Sequence, residues 1–271
     1  KDNKRIFVSM PTAGEVAVID AEKFKLIDSI AAGKQPVRVA LQPDERLLWV
    51  GNNASDAADA GVTVIDVQTL EPLKHLATGR GHHEITFSQD SRFAFVSNRD
   101  DGTLSVIDVA TLSIQQQLKT GSHPLSVAYS ALSQAVYVAD GKDGTITVVD
   151  GQNPALRKVI KSRQGLGPMG FSRDGRFGLV LNTLENRVEI IDAATDSLIH
   201  EVEVSAEPYQ VVFSKAYAYV RGLSSSKVTM INLSSLGQGR TPIVQGFEAG
   251  STAPRLAGDL PLASGLAISR D

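Results

Sequence analysis

The chain has 271 residues, room for one large or two ordinary domains, and its 42% apolar content is that of a globular protein rather than a disordered one. A formal charge of −3 without a basic block argues against nucleic acid as a partner, and no apolar run approaches the ~18 residues of a transmembrane helix. Cysteine is absent, which excludes disulfides, thiolate catalysis, Cys-ligated zinc and covalent c-type haem within this sequence.

The first residues, "KDNKRIFVSM", carry no signal-peptide pattern, and a cleaved signal would leave no trace. Residues 4–31 then hold three short apolar runs, one of which ends in "VAVID" at Asp20. That ending recurs as "VTVID" (Asp66), "LSVID" (Asp108), "ITVVD" (Asp150), "VEIID" (Asp192) and "VTMIN" (Asn232). The spacings are 46, 42, 42, 42 and 40 residues. Residues 36–78, 82–119, 123–160, 165–203 and 207–247 each supply four runs. In 82–119 these are "EITF", "RFAFVSN", "TLSVIDV" and "SIQQQLKT", joined by "SQDS", "RDDG" and "ATL". Asp and Gly in such links suit tight turns, and the Asp of "VID" is placed to accept from the turn after it. The unit that opens "GPMGFSRDGRFGLVLN" at Gly167 is two residues shorter at its start, and its "SRDGR" is hairpin punctuation.

Four short strands per repeat predict an all-β fold, a β-propeller of four-stranded antiparallel blades in one domain over 1–271. A lone four-stranded sheet leaves both faces wet, and stacking blades buries them. "EAGSTAPRLAGDLPLAS" (Glu248–Ser264) reads as a loop insertion, and the terminal "SGLAISRD" as a lone first strand. Joined to residues 4–31 it completes a sixth blade; a chain continuing past Asp271 would make seven.

The stretches "LLWVGN", "RFAFVSN" and "AVYVAD", each followed by a "TVID"-type strand, resemble the YVTN-type β-propeller repeats. That group is similar to the cofactor-binding propeller of dissimilatory nitrite reductase. The resemblance spans almost the whole chain. It implies a periplasmic or cell-surface setting in a bacterium, near respiratory or metal redox systems.

In a propeller, the entries to the inner strands and the loops between second and third strands share one face. The entries here carry Arg38, Arg80, His82, His83, Glu84, His123 and Tyr209. The loops carry Asn98, Arg99, Asp140, Asn182 and Arg221, and these twelve residues form the candidate ligand-binding rim. Three of the five histidines fall there, with His82 aligned to Pro36 and Pro124. His75 and His200 fall on or beside outer strands. Adjacent side chains of an extended segment point in opposite directions, so at most one of His82 and His83 faces the axis. The terminal residues of the second strands (Asn52, Asn98, Asp140 and Asn182) either hold their turns or line a polar cavity with amide dipoles.

No complete catalytic constellation is present: no nucleophile elbow, P-loop, dinucleotide fingerprint or metalloprotease helix. Three readings stay open. The first is a non-catalytic scaffold that binds another protein chain, such as a redox enzyme subunit, at the funnel face and carries no cofactor. The second is a haem- or copper-handling propeller, with His82, His83 or His123 as ligand and Arg38, Arg80, Arg99 and Arg221 pairing with cofactor carboxylates. The third is a lactonase-type hydrolase, for which Glu84 with His83 offers the only adjacent acid–base pair.

Overall fold

The computed structural model describes residues 3–238, 241–248 and 267, and the described chain is built of antiparallel sheets. The first sheet has three strands, β1 (Arg5–Met10), β2 (Glu15–Asp20) and β3 (Lys25–Ala31). Five four-stranded sheets follow. They are β4–β7 (Pro36–Leu41, Leu47–Asn52, Gly61–Asp66, Pro72–Leu76) and β8–β11 (Ile85–Phe87, Phe93–Asn98, Thr103–Asp108, Ser113–Lys119). Next come β12–β15 (Pro124–Ser130, Ala135–Asp140, Thr145–Asp150, Leu156–Lys161) and β16–β19 (Leu166–Phe171, Phe177–Asn182, Arg187–Asp192, Ser197–Glu203). The last is β20–β23 (Pro208–Phe213, Tyr217–Gly222, Lys227–Asn232, Val244–Glu248). The fold is all-β, a propeller whose blades follow the sequence repeat. The expected insertion and C-terminal strand lie outside the described residues, except for Glu248 and Ala267. No described helix is long and apolar enough to cross a membrane.

The chain divides into two compact units. One is Lys1–Val127 with Gly151–Leu156, and the other is Ala128–Asp150 with Arg157–Asp271. Within the first, Trp49, Val62, Val64 and Leu76 pack on Ile85, Phe87, Ala94 and Val96 between neighbouring blades. Trp49 is fully enclosed, its ring edge-on to Phe87 at 5.8 Å and its Nε1–H donating to Gln42 Oε1 at 3.3 Å. Within the second, Leu179, Leu181, Val188 and Ile190 meet Ala218, Val220 and Ile231. Second strands are buried along their whole length in β5, β13 and β17, while outer strands such as β7 are exposed. Only a strand covered on both faces by neighbouring sheets has that pattern.

The repeated turns explain the repeated polar residues. Asp20, Asp66, Asp108 and Asp192 each accept backbone amides two or three residues on, at 2.8–3.0 Å. These hydrogen bonds hold the Asp66 and Asp108 carboxyls below their ordinary range. In "SRDGR", Asp174 Oδ1 accepts from Ser172 Oγ at 2.6 Å and from the Arg176 amide at 3.1 Å. Gly175 has φ 74°, and a Cβ there would stand 2.7 Å from the Leu132 amide. The turn requires glycine twice over, by conformation and by space.

Candidate functional site

Each inner strand is entered through a special backbone geometry. Gln35 (φ 47°), His123 (φ 59°) and Glu207 (φ 53°) stand in the left-handed region just before a proline, and Gly165 (φ 94°) just before Leu166. The carbonyls of Gln35, Gly165 and Glu207 accept the amides of Asn53, Thr183 and Leu223 at 2.9–3.1 Å. In the blade of β8–β11 the corresponding acceptor is His82, which takes the Arg99 amide at 3.3 Å. His82 therefore occupies the position of Gln35. His83 occupies that of Pro36, Pro124, Leu166 and Pro208, all buried. This corrects the alignment of His82 with the prolines by one residue. The cause is a bulge: β4 slips register between Pro36 and Arg38, whereas only His83 separates His82 from Glu84.

The two histidines consequently diverge. His83 is enclosed and its Nδ1–H donates to the Ser97 carbonyl at 2.9 Å, which leaves a lone pair on Nε2. Neither that nitrogen nor Asn98 Oδ1 has a partner of good hydrogen-bond geometry. Burial pushes the His83 imidazole below its ordinary value, and the Ser97 carbonyl opposes this only in part. Gly51 makes room: a Cβ there would meet His83 O at 3.1 Å and His83 Cβ at 3.2 Å. His82 is half-buried, and its Nε2 lies 3.1 Å from Glu84 Oε1, while Arg38 Nε lies 3.0 Å from Glu84 Oε2. The acid–base pair expected between Glu84 and His83 is not formed; Glu84 serves His82 and Arg38.

The "RDDG" turn supplies two carboxylates, Asp100 and Asp101, which lie in a loop of the expected rim face but outside the twelve candidate residues. Asp101 accepts from Arg80 Nε at 3.0 Å and from the Arg80 amide at 2.7 Å. Asp100 accepts from Arg99 Nε at 2.8 Å. That bond, aided by the charges of His123 and Arg80, holds the Asp100 carboxyl below its ordinary range. Gly81 (φ 94°) presses on this loop, since a Cβ would stand 2.7 Å from Asp100. Composition would have suggested the pairing, because two acids in one rim loop face Arg80 and Arg99 on the same rim. Arg38, Glu84, His82, Arg80, Asp101, Arg99, Asp100 and His123 thus form one cluster in the first unit. Its ion pairs are half-exposed and each stabilises by at most ~1 kcal/mol.

The second-strand termini are fully buried and engaged in the framework. Asn52 Nδ2 donates to the carbonyls of Ala32 and Lys34, and Oδ1 accepts from Thr63 Oγ1 at 2.9 Å. Asn98 donates to Thr103 and Ser105, Asp140 accepts from Thr145 and Thr147, and Asn182 accepts from the amides of Leu184 and Glu185. In the second unit Tyr209 is exposed at a bulge between Pro208 and Gln210, and Arg221 is half-buried opposite Gln210. His75 is exposed on β7 and His200 half-buried on β19.

The donor set can be tested against a cofactor. Among the described residues, no three His, Asp or Glu side chains are arranged to hold a metal ion. A haem asks less, because its macrocycle supplies four nitrogens and the protein one axial ligand. Among the described residues the exposed His123 imidazole makes no hydrogen bond, and His82 is oriented by a carboxylate in the manner of metal-ligating histidines. Arg38 and Arg80 are about half-exposed and keep guanidinium N–H groups free for acidic substituents. The residues fit a haem.

Residues 56–169 match the cytochrome D1 heme domain family, a stretch that contains most of this cluster. Over 93 residues the chain is 36% identical to Protein NirF of Pseudomonas aeruginosa, which is 34% of this chain and 23% of that protein. Among solved structures, dihydro-heme d1 dehydrogenase NirN in complex with DHE superposes with a TM-score of 0.72 at 18% identity, covering 91% of this chain and 54% of that one. The β-propeller domain of Myceliophteria thermophila Cps50 (Swd1) gives 0.64 at 13% identity, covering 78% and 72%. At such identities the structural likeness speaks to fold alone. The chain is therefore a β-propeller whose residues 56–169 are similar to the cytochrome D1 heme domain.

Proposed function

We propose that this chain is a haem-handling propeller of the bacterial periplasm. In this reading it holds a d1-type haem, or a related tetrapyrrole, at the rim of its first unit for an associated redox enzyme. One observation carries the reading. The segment that matches the cytochrome D1 heme domain contains His123, an exposed imidazole without a hydrogen bond, on the same rim as carboxylate-held His82 and three arginines.

Each side chain then has a task. His123 would ligate the iron, and its left-handed backbone before Pro124 sets where its Cα stands on the rim. Arg38 and Arg80 pair with the acidic substituents of the macrocycle, a charge-assisted bond to which Arg is well suited. Glu84 orients His82, which holds or passes a proton at Nε2 beside the bound group. The haem itself supplies the redox and ligand-exchange chemistry.

Titration of the purified protein with haem b, followed at the Soret band, tests this. Saturation at one haem per chain supports it, and affinity should fall ~10-fold or more in His123→Ala. A protein that takes up no haem would fit instead a scaffold that binds a partner chain. Exposed Tyr209 and the rim arginines favour that second reading, since both residue types are enriched at interfaces.

A further inference from the structure

A cleft lies at the other end of the blades from the rim residues. It lies in the second unit, at the start of β17, whereas Asn182 ends that strand. Its walls are the turn between β16 and β17 and the turn between β20 and β21, and it encloses about 490 Å³. That is within the size of ordinary small-molecule pockets. Arg173, Arg176 and Lys215 line it against a single carboxylate, Asp174, in a chain whose net charge is −3. The Oδ1 of that carboxylate is occupied by the Ser172 hydroxyl and the Arg176 amide. Phe177, Ala216 and Leu233 supply an apolar floor.

Arg176 is held in place, and the chain contains its own controls. The same turn recurs with Asp44 and Arg46, and with Asp90 and Arg92, and in each the arginine amide reaches the aspartate at 3.1 Å. Of these three turn arginines, Arg176 alone also forms an ion pair among the described residues with the carboxylate that ends its third strand, through NH2 to Asp192 at 3.2 Å. Its guanidinium lies 5.0 Å over the Phe177 ring, its Nε is enclosed, and its NH1 makes no bond. A guanidinium fixed on three sides loses little side-chain freedom when it binds. Lys215, exposed at the tip of the opposite turn, forms no ion pair among the described residues.

We propose that this cleft binds a small organic anion, a carboxylate borne on an apolar body. The carboxylate meets Arg176 NH1 and Lys215, and the apolar part lies against Phe177 and Leu233. Calorimetric titration with phenylacetate tests the site, with acetate and inorganic phosphate as comparison probes. Phenylacetate should saturate one site, with acetate ~10-fold weaker or worse for lack of apolar area. Arg176→Met and Lys215→Met should each weaken phenylacetate ~10-fold, and Arg92→Met should leave it unchanged. If Arg176→Met fails to fold by its urea transition, Lys215→Met carries the test alone. Absence of saturable phenylacetate binding would overturn the proposal. Binding indifferent to Lys215→Met would do the same, as would inorganic phosphate outcompeting phenylacetate.

Discussion

Glu84 closes on His82 at 3.1 Å and leaves its other neighbour, His83, to the Ser97 carbonyl. One missing residue in the strand entry decides which imidazole reaches the rim. Because Glu84 also binds Arg38 in half-exposed surroundings, Glu84→Gln should cost less than ~1 kcal/mol of stability. It should nevertheless change haem affinity, since His82 loses the carboxylate that orients it. Urea unfolding and haem titration of the variant read the two effects separately. A loss above ~3 kcal/mol would mean that the cluster is framework, not site.

Asn52 is framework. Its amide ties the Ala32 and Lys34 carbonyls to Thr63 inside the first unit, and it is completely enclosed. Asn52→Ala leaves the buried Ala32 carbonyl without its side-chain donor and takes one partner from the Lys34 carbonyl and the Thr63 hydroxyl, and a buried group left unpaired costs ~1–3 kcal/mol. The urea midpoint should fall clearly, with haem affinity in the folded fraction unchanged.

Glu189 is a buried carboxyl at a strand position where the other four-stranded sheets carry Thr63, Ser105, Thr147 and Thr229. It accepts from the Ser162 hydroxyl, and its second oxygen has no partner of good geometry. Burial raises its folded pKa above the ordinary 4.5. An acid whose pKa rises on folding adds stability below its unfolded value and loses it as pH climbs through the folded one. The stability of wild type relative to Glu189→Gln should therefore rise as pH falls from neutrality toward 4.5 and fall as pH is raised through the folded pKa. Urea midpoints across that range give the answer, and a constant gap would contradict the assignment.

Gly175 offers a test of the turn. Alanine there must adopt the left-handed region and collide with the Leu132 amide, so Gly175→Ala should destabilise by more than the ~1–2 kcal/mol of the conformational term alone. A thermal melt of the variant measures it.

The fold was legible because burial imposes a period. Strands covered on both faces are apolar along most of their length, and the Asp that ends a third strand caps the turn that follows. The site was legible only in part. The convergence of Arg38, Glu84 and His82 follows from the repeat, but which histidine faces inward depends on the absence before β8 of the extra residue that β4 carries at Val37, and a bulge has no signature in apolar pattern. Asp100 and Asp101 read as turn formers because the residue types that make a tight turn also make ion pairs. For Asn98, Asp140 and Asn182 the sequence leaves two readings, holding the turn or lining a polar cavity, because they end strands at the rim. Their hydrogen bonds turn them inward.

The central claim is that a haem seats on the imidazole of His123. The most direct measurement is the ferric spin state and affinity of bound haem b in wild type, in His123→Ala and in His200→Ala. Wild type and His200→Ala should give an imidazole-ligated spectrum, which His123→Ala should lose together with at least ~10-fold of its affinity. An unchanged spectrum and affinity in His123→Ala would contradict it.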